Sequence, residues 1–127
     1  MDGFDLDGTL ADVNFQQAAV RGMAAIFTGV PVIYTPDKPF VVITGRPHST
    51  GEQTRATTRW LTEHQPNFKA IYYVEGSEAQ MIEQKASIIN RLRLATFTDN
   101  NPDVLTALSK LTRAQLFILE NGQRVRF

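Results

Sequence analysis

Phe4-Asp5-Leu6-Asp7-Gly8-Thr9-Leu10 sets two carboxylates two positions apart, with a glycine and a hydroxyl directly after them. If Phe4 to Leu6 is a strand, its period of two sends Asp5 and Asp7 to one side, at the strand's carboxyl end. Carboxylates held that close repel unless a cation bridges them or one keeps its proton. The stretch therefore points to a hard divalent metal, an acid/base pair, or both. Gly8 lets the chain turn sharply there. Asp-rich turns ending in glycine also merely close strands. What separates the two meanings is whether further hydroxyl, lysine and acid groups follow at the ends of later apolar runs.

Working outward, 127 residues suffice for one domain, residues 1–127, with a single core. Thirteen basic residues balance 13 acidic ones, so the chain lacks the overall basic field of a general nucleic-acid binder. There is no cysteine, which excludes disulfides, thiolate zinc sites and cysteine nucleophiles. His48 and His64 lack metal-ligand spacing. Met1-Asp2-Gly3 is acidic and every apolar run is far shorter than a membrane span or signal core. A cytoplasmic protein with no membrane partner is expected.

Asp2 and Gly3 are poor strand formers, so the first strand should be short. Phe15, Ala18, Ala19, Met23, Ile26 and Phe27 recur at helical spacing, with Asp12 or Asn14 as cap, and predict a core-facing helix. Residues 30–34 read as an extended connection. Phe40-Val41-Val42-Ile43 is the continuous β-branched run of a strand buried on both faces. It ends in Thr44-Gly45-Arg46, where a hydroxyl and neighbouring amides can hold a phosphate oxygen.

Ser49 with Glu52, or Thr50 with Gln53, can box the start of a helix running through Trp60 and Leu61 and stopping before Pro66. A third strand is expected over residues 70–74. Ser77 and Gln80 form another box, followed by the stripe Ile82, Ala86, Ile89 and Leu92. Lys85 falls inside that stripe and must snorkel or meet a carboxylate. Residues 94–98 are the fourth strand, with Asp99-Asn100-Asn101-Pro102-Asp103 directly after it. Pro102 suits the first position of a helix through Leu111, where Asp103 would be a first-turn acid. Asn121-Gly122 signals a hairpin whose last strand is an antiparallel edge with Arg124 and Arg126 outward.

Asp5-Leu6-Asp7-Gly8-Thr9-Leu10, Thr44-Gly45, Lys85 and Asp99-Asn100, in this order, resemble the four motifs of the haloacid dehalogenase-like (HAD) phosphohydrolases. The resemblance covers nearly the whole chain. It implies a doubly wound α/β domain of Rossmann-like type, with a mainly parallel sheet and the motifs at its carboxyl edge. The short first strand departs from the family, which usually has several apolar residues there. So does the absence of a cap, since neither the gap from Thr9 to Phe40 nor that from Thr44 to Lys85 has room for one.

The resemblance further implies a magnesium-dependent phosphatase. Asp5 would be the nucleophile, Asp7 the general acid and base, and Thr44 and Lys85 the stabilisers of phosphoryl oxygens. Gly45 and Arg46 would complete the phosphate corner. Magnesium would be held by Asp5, Asp7 and either Asp99 or Asn100, with Thr9 fixing the loop and Asp103 orienting the metal shell. A capless site admits a phosphorylated small molecule, a nucleotide or a phosphorylated macromolecule, or takes its missing wall from a second copy in a homo-oligomer. Arg55-Ala56-Thr57-Thr58-Arg59-Trp60 resembles a segment of the 3′-phosphatase domain of polynucleotide kinases, which makes a nucleic-acid end the alternative substrate. The rivals from other classes are a non-catalytic phosphate or metal binding module and a receiver-type signalling domain. Asp7, present here, is the group that would remove a phosphoryl rather than keep it.

Overall fold

Six strands, β1 (Asp2–Phe4), β2 (Phe40–Thr44), β3 (Phe68–Tyr73), β4 (Thr96–Asp99), β5 (Gln115–Glu120) and β6 (Gln123–Arg126), form one sheet in the order β3-β2-β1-β4-β5-β6. The structure is a computed structural model describing residues 1–127. The first five strands run parallel and β6 returns antiparallel beside β5. The chain is thus an α/β domain with a mainly parallel sheet of Rossmann-like order. No helix is long and apolar enough to cross a membrane.

Helices α1 (Ala18–Arg21), α2 (Gly51–His64), α3 (Glu78–Leu92) and α4 (Pro102–Leu111) complete the fold. On one face α3 and α4 bury Ile89, Leu105 and Leu108 against Val41, Ile43, Phe97 and Leu116. On the other, Trp60 and Leu61 of α2 pack with Phe4, Phe40 and Val42. Strand alternation explains the split, because Val41 and Ile43 point one way and Phe40 and Val42 the other. Trp60 is core, and its indole N–H donates to the Val30 carbonyl at 2.9 Å.

Helix starts follow local backbone chemistry. Thr50 with Gln53, and Ser77 with Gln80, close reciprocal capping boxes, which decides between the two boxes open for α2. Pro102 takes the first position of α4 behind the Asn101 cap. Asn121 and Gly122 both have positive φ, 50° and 75°, as a two-residue hairpin turn needs.

Short β1 holds the centre of the sheet despite its residues, for two reasons. A Cβ on Gly3 would stand 2.6 Å from Leu94 Cδ1 and 3.0 Å from Phe97 Cδ1, so only glycine lets the core close there. The Asp2 carboxylate, in turn, accepts from the Thr96 hydroxyl at 2.8 Å.

Two expectations are corrected. Residues 15–27 do not form one core-facing helix but a 3₁₀ turn capped by Asn14, the four-residue α1, and a second 3₁₀ turn over Ala25–Phe27. Gly22, at φ 86°, ends α1, and only Ile26 and Phe27 are buried, while Val20 is 90 % exposed. The segment is a strap anchored at one end rather than an amphipathic helix. Arg124 is not outward either. It lies over the sheet with its guanidinium 3.8 Å from the Phe117 ring centroid, donating to Thr98 Oγ1 at 2.9 Å and Thr96 Oγ1 at 3.0 Å. The face of β4 and β5 opposite α3 and α4 carries the polar groups Thr96 and Thr98, which a guanidinium satisfies and an apolar side chain would not.

Candidate active site

β1 lies between β2 and β4, and the chain runs from β1 outward through β2 and β3 before returning to β4 on β1's other side. Open parallel sheets bind ligands where the direction of winding switches, outside the carboxyl ends of the strands. That point lies between β1 and β4. Phe4 pairs with Thr98 in register, and the Asp5 N–H donates to the Thr98 carbonyl at 2.9 Å. One step further, the same register sets Asp5 beside Asp99.

Lys85 reaches into this switch point from the inner face of α3. Its ammonium donates to Asp5 Oδ1 at 3.3 Å and to Asp99 Oδ2 at 3.2 Å, and the residue is 8 % exposed. It does not snorkel, because the two carboxylates are the partners its burial requires. Burial pulls the ammonium's pKa down, but the charges of Asp5 and Asp99 outweigh it and the net shift is upward. Burial first, and then the charge of Asp5, raise the Asp99 carboxyl to about 6, against the opposing pull of Lys85. Asp99 Oδ1 also accepts the Asn101 N–H at 3.0 Å.

The loop after β1 closes around Leu6, whose carbonyl accepts from the N–H groups of Thr9, Leu10 and Ala11. This turns the Thr9 hydroxyl back to Asp5 Oδ2 at 3.3 Å, and Thr9 is fully buried. The Asn100 amide oxygen lies 3.5 Å from the same hydroxyl. Gly8 has φ 81°, and a Cβ there would collide with the Asn100 amide. Gly8→Ala is therefore expected to cost about 1–3 kcal/mol in denaturant unfolding, through strain and displacement of Asn100. An unchanged midpoint would show that the loop has another low-energy conformation.

At the end of β2, Thr44 is buried and its hydroxyl oxygen accepts the Arg46 N–H at 3.0 Å, which leaves its own hydrogen available to donate. Gly45 lies close under α3, since a Cβ there would stand 2.6 Å from Met81 Sδ. Arg46 turns inward. Its Nε donates to Asp7 Oδ2 at 3.1 Å, one terminal nitrogen to Asp7 Oδ1, and the other to Thr57 Oγ1 at 3.2 Å. Burial raises the Asp7 carboxyl above its ordinary range in spite of this partner.

Asp5, Thr9, Thr44, Lys85, Asp99 and Asn100 thus meet at one edge of the sheet, with Asp7 and Arg46 paired beside them. Asp103 is not brought in: it is exposed in the first turn of α4, its N–H donating to Asn101 Oδ1 at 2.9 Å. The groups beside Asp5 that can hold a cation are oxygens, namely the carboxylates of Asp5 and Asp99 and the Asn100 amide. Such a set suits a hard divalent ion, and the repulsion between Asp5 and Asp99 is what a bound cation relieves.

Thr57 and Phe27 complete the surroundings of Asp7 without having been singled out. Thr57 is the buried polar residue on the α2 face that carries Trp60 and Leu61, which was the available signal. Phe27 sits beneath Arg46, 4.0 Å from guanidinium carbon to ring centroid, and nothing in its local sequence foretold that. Arg55 and Arg59 are exposed, Arg59 pairing with Glu63 at 3.3 Å. Comparison with models of known families, with curated proteins and with solved structures finds no match for this chain.

Proposed function

We propose that this protein is a magnesium-dependent phosphomonoester hydrolase of the HAD type, working through a phosphoaspartate on Asp5. The observation that carries the reading is Lys85 held between Asp5 and Asp99 at the sheet's switch point, with the Thr44 hydroxyl at the end of the neighbouring strand β2. In the first half-reaction an Asp5 carboxylate oxygen attacks phosphorus, the bond from phosphorus to the leaving oxygen breaks, and Asp7 gives that oxygen its proton. In the second, Asp7 takes a proton from water, whose oxygen displaces Asp5 and releases inorganic phosphate. Burial pushes the Asp7 carboxyl upward while the Arg46 fork pulls it down, and the net shift is toward the acid form.

Thr44 and Lys85 stabilise charge on the phosphoryl oxygens. Asp5, the Asp7 carbonyl and Asp99 or Asn100 would hold magnesium, which would supply charge that offsets the repulsion between carboxylate and phosphate. Without a cap the site is open and admits small and large phosphorylated substrates alike. Trp60, buried and bonded to Val30, gives a nucleic-acid end no aromatic platform. A small phosphorylated molecule or nucleotide is therefore preferred.

The test is a panel of aryl phosphates, sugar phosphates, nucleotides and 3′- and 5′-phosphorylated oligonucleotides, each with magnesium and with excess chelator. Turnover of at least one ester that disappears with chelator is expected. Undiminished turnover in chelator would remove magnesium from the reading, and silence across the panel would favour a non-catalytic phosphate-binding module.

A further inference from the structure

Arg46 follows the Thr44-Gly45 phosphate corner, where a guanidinium would ordinarily be taken for a phosphate ligand. Its surroundings say otherwise. Arg46 is 3 % exposed, and three of its N–H groups are committed, two to the oxygens of Asp7 and one to Thr57. The Phe27 ring lies under it at 4.0 Å, and Phe27 is fully buried and packed edge-on against Phe15 of the strap. The Arg46 backbone is pinned as well, its N–H to Thr44 Oγ1 at 3.0 Å and its carbonyl to His48 Nδ1 at 2.9 Å.

We propose that Arg46 is a positioning residue, held by Thr57 and Phe27, whose fork orients the carboxylate of Asp7 rather than binding the phosphoryl group. A two-point fork fixes both carboxylate oxygens, which a single ammonium cannot do. Asp7 is thereby kept in one rotamer in the loop after β1. The role rests on the proposed phosphatase chemistry.

Two measurements test it separately. The first needs no activity: thermal unfolding of Asp7→Asn, Arg46→Met and the double variant, without substrate or metal. The double variant is expected to lose less in Tm than the two single losses added together. Additive losses would overturn the pairing, whatever the protein catalyses.

The second uses Arg46→Lys, which keeps the charge and loses the fork, with Thr57→Val as a milder perturbation. For an alkyl phosphate, Arg46→Lys should lower kcat on the order of 100-fold, the size of a misplaced acid/base. An aryl phosphate should suffer less in its first step, and inhibition by inorganic phosphate should stay within about threefold of wild type, since a positioning residue leaves ground-state phosphate affinity alone. Thr57→Val should move kcat in the same direction by less. A large weakening of phosphate inhibition with equal losses for both esters would make Arg46 a phosphate ligand and overturn the proposal. Absence of turnover in the wild-type protein would overturn the phosphatase reading and this role with it, while the unfolding cycle would still report the pair.

Discussion

With Asp5→Asn, metal-dependent turnover of an aryl phosphate is expected to fall to background, a loss on the order of 10⁴-fold or more, because an amide cannot form the phosphoryl-enzyme bond. Asp7→Asn should behave differently. An aryl leaving oxygen needs little protonation, so Asp5 should still become phosphorylated, but no base remains to activate water and the adduct should persist. An alkyl ester should barely react. Rapid-quench mass spectrometry with the aryl ester should find phosphate on the Asp5 peptide of the Asp7 variant and none in Asp5→Asn. Fresh protein is needed, since an asparagine before Gly8 readily deamidates back to aspartate. Equal slowing of both esters with no adduct would reduce Asp7 to a holder of the metal. A long-lived adduct in the wild-type protein would instead favour a receiver-type domain.

The second large effect is on stability. Lys85→Met keeps the aliphatic stem but leaves Asp5 and Asp99 facing each other in a buried site, and breaking a buried pair in this way costs about 3–5 kcal/mol near pH 7. The pH dependence follows from Asp99. Its folded pKa of about 6 lies above its ordinary 3.8, so the folded chain binds the proton more tightly than the unfolded one. Its contribution is full below about pH 4 and is lost as pH rises through about 6, by on the order of 3 kcal/mol. Denaturant unfolding of the chelated wild-type protein should show that decline, and Asp99→Asn should flatten it. The penalty of Lys85→Met should shrink toward pH 4, where Asp99 is protonated, and magnesium at pH 7 should recover part of it. A penalty independent of both pH and magnesium would mean that Lys85 acts through packing alone.

Those effects arise from pairings that differ greatly in how visible they were along the chain. Lys85 interrupts an apolar helical stripe, and an ammonium in such a place demands a carboxylate. The demand could be read, and the resemblance of the motifs supplied the acids. Asp7 with Arg46 could not be read in the same way. Both were assigned to the site, but a doublet of acids and a guanidinium after a strand are compatible with many partners. Only the adjacency of β1 and β2, together with Thr57 and Phe27 arriving from α2 and the strap, selects this one. Asp103 illustrates the converse, since the resemblance gave it the metal shell to orient and its position at the start of α4 leaves it in solvent.

The sequence by itself determined what depends on neighbouring backbone groups: the capping boxes at Thr50 and Ser77, Pro102 opening α4, the Asn121-Gly122 hairpin and the buried run of β2. Each is a short-range matter of φ, ψ and orphan donors that four or five residues settle among themselves. The tertiary structure alone decided the strand order, the inward turn of Arg124, the breaking of residues 15–27 into a strap and the grip of Arg46 on Asp7. Helical spacing over 15–27 was real, but it lost to the positive φ of Gly22 and to a sheet face already covered by α2. Arg124 alternates with Val125 as an outward residue would, yet the accepting hydroxyl oxygens of Thr96 and Thr98 on the sheet drew it in. Whether a charged side chain faces water or a partner is settled by groups far away in sequence, because the cost of burying it depends on what the fold places within about 3 Å.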